Sequence, residues 1–390
     1  MAQEKNKKKT KKIKTEGMLI IDIGTASVGA AFVKEGPHDA PLLEHVVRTP
    51  IGTGSNSSRD ALLTHTEEAL KELLAQYSSH VPKDIHVVVS TPWHEAHIRT
   101  ITSSSEKPTH ISKRTALSAV QKYQNEKPPV EGNVDVEAVA IQVQVNGYST
   151  SLRRTVSGKE ISINLYESEM SASIHKKFLS IVETIFPNSA IAFNTFPLVA
   201  ATSLRTVTEQ TGFIIADVTG EATEVAIVYN DGVRHIGSFP VGYYSIARSV
   251  SIPESEGVAD AMSRLALLAR GELAAEEEQR INKAFNESFL AWSNGLKEII
   301  SVASEKIPIP RLLYLLSDKE PLTWIRKGAE EQNPYHLHVI PFGAPEIQNF
   351  LEVGENAHYD VFLSLSALFF HIANQELIGE SKELDVVYSR

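Results

Sequence analysis

At 390 residues the chain is long for a single hydrophobic core, so two or three domains are expected. Its 42% hydrophobic and 22% charged content is that of a soluble globular protein, and a net charge of −10 argues against general nucleic-acid binding. The absence of cysteine excludes disulfide frameworks, thiolate metal sites and cysteine nucleophiles, and fits a reducing, cytoplasmic setting.

The first 14 residues carry seven lysines against Glu4, with no apolar stretch behind them, so residues 1–17 read as a solvated basic tail rather than a secretory leader. The sharper alternative is peripheral contact with an anionic membrane face. Met18–Arg48 follows as three apolar strands joined by tight turns. Leu62, Leu63, Thr66, Ala69, Leu70, Leu73 and Leu74 recur at helical spacing, with Ser57 or Ser58 able to cap the start. Ile85–Ser90 is a β-branched strand closing at Pro92, and Thr102–Pro108 is polar. Ile111–Gln121 reads as a short helix, and Val134–Val145 and Lys159–Ser168 as alternating strands. Strand, helix, strand, strand make a small α/β module inserted at 84–170.

Ser171–Thr184 is a helix with Ile174, Phe178, Ile181 and Ile185 on one face, followed by a short strand at Ile191–Phe193 and a helical segment at Pro197–Thr206. Gly212–Gly242 repeats the opening three-strand pattern, so that Asp217 lies 195 positions after Asp22, half the chain away. A helix-rich stretch over Glu254–Ser304, strands at Arg311–Leu316 and His336–Ile340, and a helix over Asp360–Gln375 complete the chain.

The repeated strand tips carry the chemistry. In DIGTAS, Gly24 lets a phosphate approach backbone N–H groups, while Thr25 and Ser27 offer hydroxyls. A carboxylate such as Asp22 beside phosphate implies a divalent cation, best a water-bridged Mg²⁺. DVTGEAT offers Asp217, Gly220 and Thr223 for the same work from the opposite side. Ordinary hairpin geometry explains either turn alone, but not the matched pair as well. Other signals are weaker. GTGSNS at Gly52–Ser57 lacks the third glycine of a dinucleotide loop. His94, Glu95 and His97 lack the helix spacing of a zinc motif, and His336 and His338 have no evident third ligand.

On DIGTASVGAAFV at Asp22–Val33, IIADVTGEATEVAIVYNDG at Ile214–Gly232 and FPVGYYSIARSV at Phe239–Val250, the chain resembles the actin-like ATPase superfamily. Within it the sequence is most similar to the division protein FtsA and the type IV pilus protein PilM, and the insert resembles their 1C (SHS2) module. The resemblance implies an α/β, actin-like (ribonuclease H-like) duplicated two-lobe fold. The first lobe would be 18–83 with 171–210 and 359–390, and the second 211–358. ATP or ADP with Mg²⁺ would lie between them, on catalytic and metal-holding Asp22 and Asp217. Gly24, Thr25, Ala26, Ser27, Gly220, Glu221, Thr223, Gly242 and Ser317 would contact the nucleotide. Thr219, Glu221 and Ala222 stand where the family carries further glycines, Ser317 and Asp318 replace its Gly-Gly, and Tyr243 replaces the second of two glycines after Pro240. The expectation is therefore a weak ATPase at most, or a pseudo-ATPase. It would serve either as an FtsA-type scaffold at the cytoplasmic membrane face, self-assembling or recruiting division components, or as a PilM-type adaptor for a membrane-protein peptide.

Overall fold

The computed structural model describes residues 17–36, 38–52, 58–150, 155–230, 232–254, 257–355, 357–378 and 387–388. The basic tail and most of the Gly52–Ser57 loop lie outside them.

The first lobe opens with β1 (Met18–Ile23), β2 (Ser27–Glu35) and β3 (Pro41–Pro50), then α1 (Arg59–Ala75) and β4 (Asp84–Val89). Ser58 does cap α1, its hydroxyl accepting from the Ala61 amide at 3.2 Å. The insert contributes β5 (Glu95–Ile111), α2 (Lys113–Glu126), β6 (Asn133–Val145), β7 (Tyr148–Ser149) and β8 (Val156–Ser171). The chain returns through α3 (Ala172–Ile185), β9 (Ala190–Thr195) and α4 (Phe196–Val207). The second lobe starts with β10 (Gly212–Val218), β11 (Thr223–Tyr229), β12 (Gly232–Phe239), α5 (Tyr243–Glu254), α6 (Val258–Arg270) and α7 (Ala275–Ser304). It continues with β13 (Leu312–Leu316), α8 (Lys319–Gln332), β14 (His338–Pro341) and α9 (Ala344–Ile347). Then come β15 (Glu352–Val353), α10 (Val361–Ile378) and β16 (Val387–Tyr388).

The duplication read from sequence is present in the topology. One sheet runs β15-β3-β2-β1-β4-β9 and another β12-β11-β10-β13-β14; in both, the acidic strand has two antiparallel hairpin strands on one side and two parallel strands on the other, and β15 adds a short further edge to the first sheet. Asp22 faces Gly29 across its hairpin, and Asp217 faces Glu224, the same seven-residue offset in both.

Strand β4, read from sequence as the head of the insert, pairs parallel with β1 in the first sheet. The insert's own sheet, β16-β6-β8-β5, starts at β5. That strand crosses the Thr102–Pro108 segment read as merely polar. It is an edge strand with most side chains in water, so it lacks the apolar alternation that marks a half-buried strand.

Strand pleat decides what enters the space between the lobes, because alternate residues face opposite sides. Ile20 on β1, Phe213 and Ile215 on β10, and Tyr314 and Leu316 on β13 join one shared cluster with α4 and α10. Their neighbours Leu19, Ile21 and Ile23 pack outward with α1 and α3, and Ile214, Ala216 and Val218 pack outward with α5–α7. Asp22 and Asp217 sit two residues past Ile20 and Ile215. They therefore share the parity of the interlobe layer.

Trp292 and Trp324 are core residues. Trp292 is fully buried against Phe289 and Phe239, and its indole N–H donates to the Thr223 hydroxyl at 3.0 Å. Trp292→Ala should cost about 3–5 kcal/mol of unfolding free energy, measured by urea denaturation.

Candidate functional site

The two hairpin tips touch. The Thr25 hydroxyl donates to the Thr219 hydroxyl at 2.9 Å and accepts from the Glu221 amide at 3.0 Å. Thr25 is fully buried, and the Ala26 methyl packs into the second lobe's apolar cluster. A Cβ on Gly220 would come within 3.0 Å of Ala26 and 2.7 Å of Tyr244, so only glycine permits this approach.

Several backbone donors that could grip phosphate are already engaged. The Gly24 amide donates to Ser27 and the Thr219 amide to Ala222, closing each turn. At the start of α5, the Tyr243 and Tyr244 amides donate to the carbonyls of Thr219 and Gly220. Gly242 lies against those same carbonyls, where a Cβ would be 2.3 Å from Thr219 O. The positive end of α5 is thus spent on the second hairpin rather than on a ligand.

Charges fill the remaining space. Arg48 of β3 reaches Asp22 at 2.9 Å, Ser27 Oγ at 2.9 Å, and Asp360 through a two-pronged pair at 2.6 and 2.8 Å. Both terminal guanidinium nitrogens of Arg248 donate to the Glu221 carboxylate. Asp318 accepts from the Tyr243 hydroxyl at 2.5 Å. Burial pushes Asp22 up to about 6, despite the opposing pull of Arg48. Burial also pushes Asp217 well above the usual carboxylate range, reinforced by the charges of Glu224, Asp22 and Asp318. Both Asp217 oxygens lack a hydrogen-bond partner; Ser90 is near without bonding geometry. The buried Glu224 lies 3.2 Å from His94, at the entrance to the insert.

The structure therefore brings Asp22, Gly24, Thr25, Ala26, Ser27, Asp217, Gly220, Glu221 and Gly242 to one junction. Thr223 is not among them. Its hydroxyl donates to the Val241 carbonyl at 2.6 Å on the outer side of the sheet, because pleat parity turns it away from Asp217's face. Ser317 is also spent internally, donating to the Val218 carbonyl at 2.8 Å. Sequence reasoning missed Arg48, Asp360, His94, Glu224 and Arg248. Only Glu224 carried a local signal, as the counterpart of Gly29 in the duplicated hairpin. Among the described residues, Glu95, His97 and Glu169 bring possible ligand atoms within 4.8 Å of one another, an exposed group of a kind common without an ion.

No family model matches the chain, and no curated protein matches it. Solved structures do. The PilM-PilN type IV pilus biogenesis complex aligns with 95% of this chain and 100% of its own, at a TM-score of 0.63 and 13% identity. The chain has the actin-like two-lobe fold. Looser similarity extends to the ethanolamine utilization protein EutJ from Carboxydothermus hydrogenoformans, with a TM-score of 0.46, 10% identity, and 93% and 91% of the two chains covered. It extends also to MreB 5 of Spiroplasma citri bound to AMPPNP, with a TM-score of 0.46, 9% identity, and 94% and 98% covered.

A nucleoside triphosphate with Mg²⁺ does not fit the junction as it stands within this fold. The Gly24, Thr219, Glu221, Tyr243 and Tyr244 amides are committed, the hairpins are in contact, and Asp22, Asp217, Glu221, Glu224, Asp318 and Asp360 face two arginines that are already paired.

Arg48→Ala should destabilise the chain by about 3–5 kcal/mol, since it strands two buried carboxylates; chemical denaturation measures this. The pH dependence of Asp217 has a fixed sign. A folded-state carboxyl held above its unfolded value retains a proton that the unfolded chain has lost, so its contribution to stability fades as pH rises. Asp217→Asn removes the titration. Its melting temperature should match wild type near pH 4 and exceed it increasingly toward pH 8, read by calorimetry across that range. Asp22 adds to the wild-type decline between its ordinary 3.8 and about 6.

Proposed function

We propose that this chain is an actin-fold scaffold that works by binding protein, with the interlobe junction serving as a structural joint rather than a nucleotide switch. The observation that carries this reading is the direct Thr25–Thr219 bond, which places one hairpin tip against the other where phosphates would need to lie. The surrounding amides, Arg48 and Arg248 reinforce the joint from both lobes. Partner binding is favoured over chemistry because, among the described residues, the hydroxyls of Thr25, Thr219 and Thr223 are all engaged in hydrogen bonds rather than free as nucleophiles.

The specific role is an adaptor of the PilM kind, holding a segment of a membrane protein. The solved structure at a TM-score of 0.63 is a PilM-PilN type IV pilus biogenesis complex, and the likeness spans nearly the whole of both chains. An FtsA-type division scaffold instead requires nucleotide to drive lobe closure and self-assembly. The committed donors argue against that route.

Thermal-shift titration with Mg–ATP and Mg–ADP tests the reading. A ligand at 100 times its Kd adds about 2.7 kcal/mol to the folded state, which moves the melting temperature by several degrees. The expected result is no concentration-dependent rise with either nucleotide. A saturable rise, or nucleotide-dependent light scattering from filaments, would overturn it in favour of the division-type scaffold.

A further inference from the structure

The face of the first lobe remote from the Asp22–Asp217 junction carries an open-sided groove of about 680 Å³ between α1 and α3. Ile181 and Ile185, one helical turn apart on α3, supply its apolar floor. Lys71 of α1 and Lys176 and Lys177 of α3 supply its rim. Lys177 is held by Glu67 at 2.6 Å, an ion pair that ties the two helices together. Lys71 and Lys176 are exposed, and among the described residues neither is placed in an ion pair. An apolar floor edged by two unengaged ammonium groups stands out on a chain whose net charge is −10.

We infer that this groove docks an acidic amphipathic segment of a partner protein, laid against α3 with aliphatic side chains on Ile181 and Ile185 and carboxylates beside Lys71 and Lys176. The inference rests on the protein-binding reading above and adds the place and the chemistry of the partner. Each feature of the groove selects against other occupants. The aliphatic floor gives nothing to a free anion, whereas it suits the stripe that a helix presents at i and i+4. A nucleic acid would meet two lysines and then the repulsion of an acidic body. A basic peptide, the chain's own lysine-rich start included, meets like charge at the rim. Complementary charge at such an edge steers association and sets specificity, while the floor supplies the desolvated contact.

Selection of phage-displayed random dodecapeptides on the full-length protein tests this. The enriched sequences are then synthesised with a fluorophore and measured by anisotropy. The expected enrichment is for acidic sequences with aliphatic residues three or four apart. Their affinity should fall at least about tenfold for Lys71→Glu/Lys176→Glu, and added salt should weaken wild-type binding. Both substitutions are on exposed side chains, so the variant should melt with wild type, and Ile185→Asp gives an independent loss of the floor. Enriched peptides that bind the double-lysine variant as tightly as wild type would remove the groove assignment and leave the protein-binding reading standing. No enrichment at all would remove both. Enrichment of basic or neutral sequences, or a wild-type dimer in sedimentation that the lysine variant abolishes, would overturn the acidic partner.

Discussion

Two central sheets share one apolar layer, and that sharing dictates everything at the junction. Helix α4 contributes an unbroken run of buried residues from Phe196 to Leu204, and α10 is apolar on most sides. Neither can satisfy that surface on one lobe, so both lobes close on them and bury Ile20, Phe213, Ile215 and Leu363 together. Once the parity of β1 and β10 is set by those contacts, their terminal aspartates have nowhere else to point. The acidic tips meet because the hydrophobic layer behind them is common.

Meeting there carries an electrostatic cost, since buried like charges oppose ionisation. Arg48 answers part of it by bridging Asp22 to Asp360, joining the opening hairpin to the start of α10, residues 312 positions apart. Arg248 answers for Glu221 from α5. Asp217 and Glu224 receive no comparable cation, and desolvation accordingly pushes the Asp217 carboxyl well above the usual carboxylate range. The substitution of Glu224 for the counterpart of Gly29 is what most separates the second hairpin from the first.

Much of this was legible in the sequence because it is encoded locally. Leu63, Leu70 and Leu74 announce α1 through their spacing, and the apolar strands ending in Asp22 and Asp217 announce the duplication. What was hidden depends on distant partners or on weak pattern. Strand β5 is a polar sheet edge, so nothing in its alternation sets it apart from a loop. Strand β4 is largely β-branched, with Ile85 and Val87–Val89, which marks a strand but not the sheet that receives it. The Arg48–Asp360 pair has no sequence signature at any spacing. Thr223 was misplaced for a different reason: residue type suggested a phosphate ligand, while the pleat, countable from Asp217 through the hairpin, turns the side chain outward. The hairpin contact itself arises from side-chain complementarity among Thr25, Thr219 and Ala26, and motif spacing does not specify whether two loops stand apart or touch.

The buried indoles have a spectroscopic consequence. Trp93, at the root of the insert, donates to the Gly24 carbonyl at 2.9 Å, while Trp292 donates to Thr223 in the opposite lobe. Each hairpin is thus wired to its own fluorophore in a chain with three tryptophans. Loosening of one tip would change the polarity around its indole alone, so emission from single-tryptophan versions would tell which half of the molecule yields first, without any attached dye.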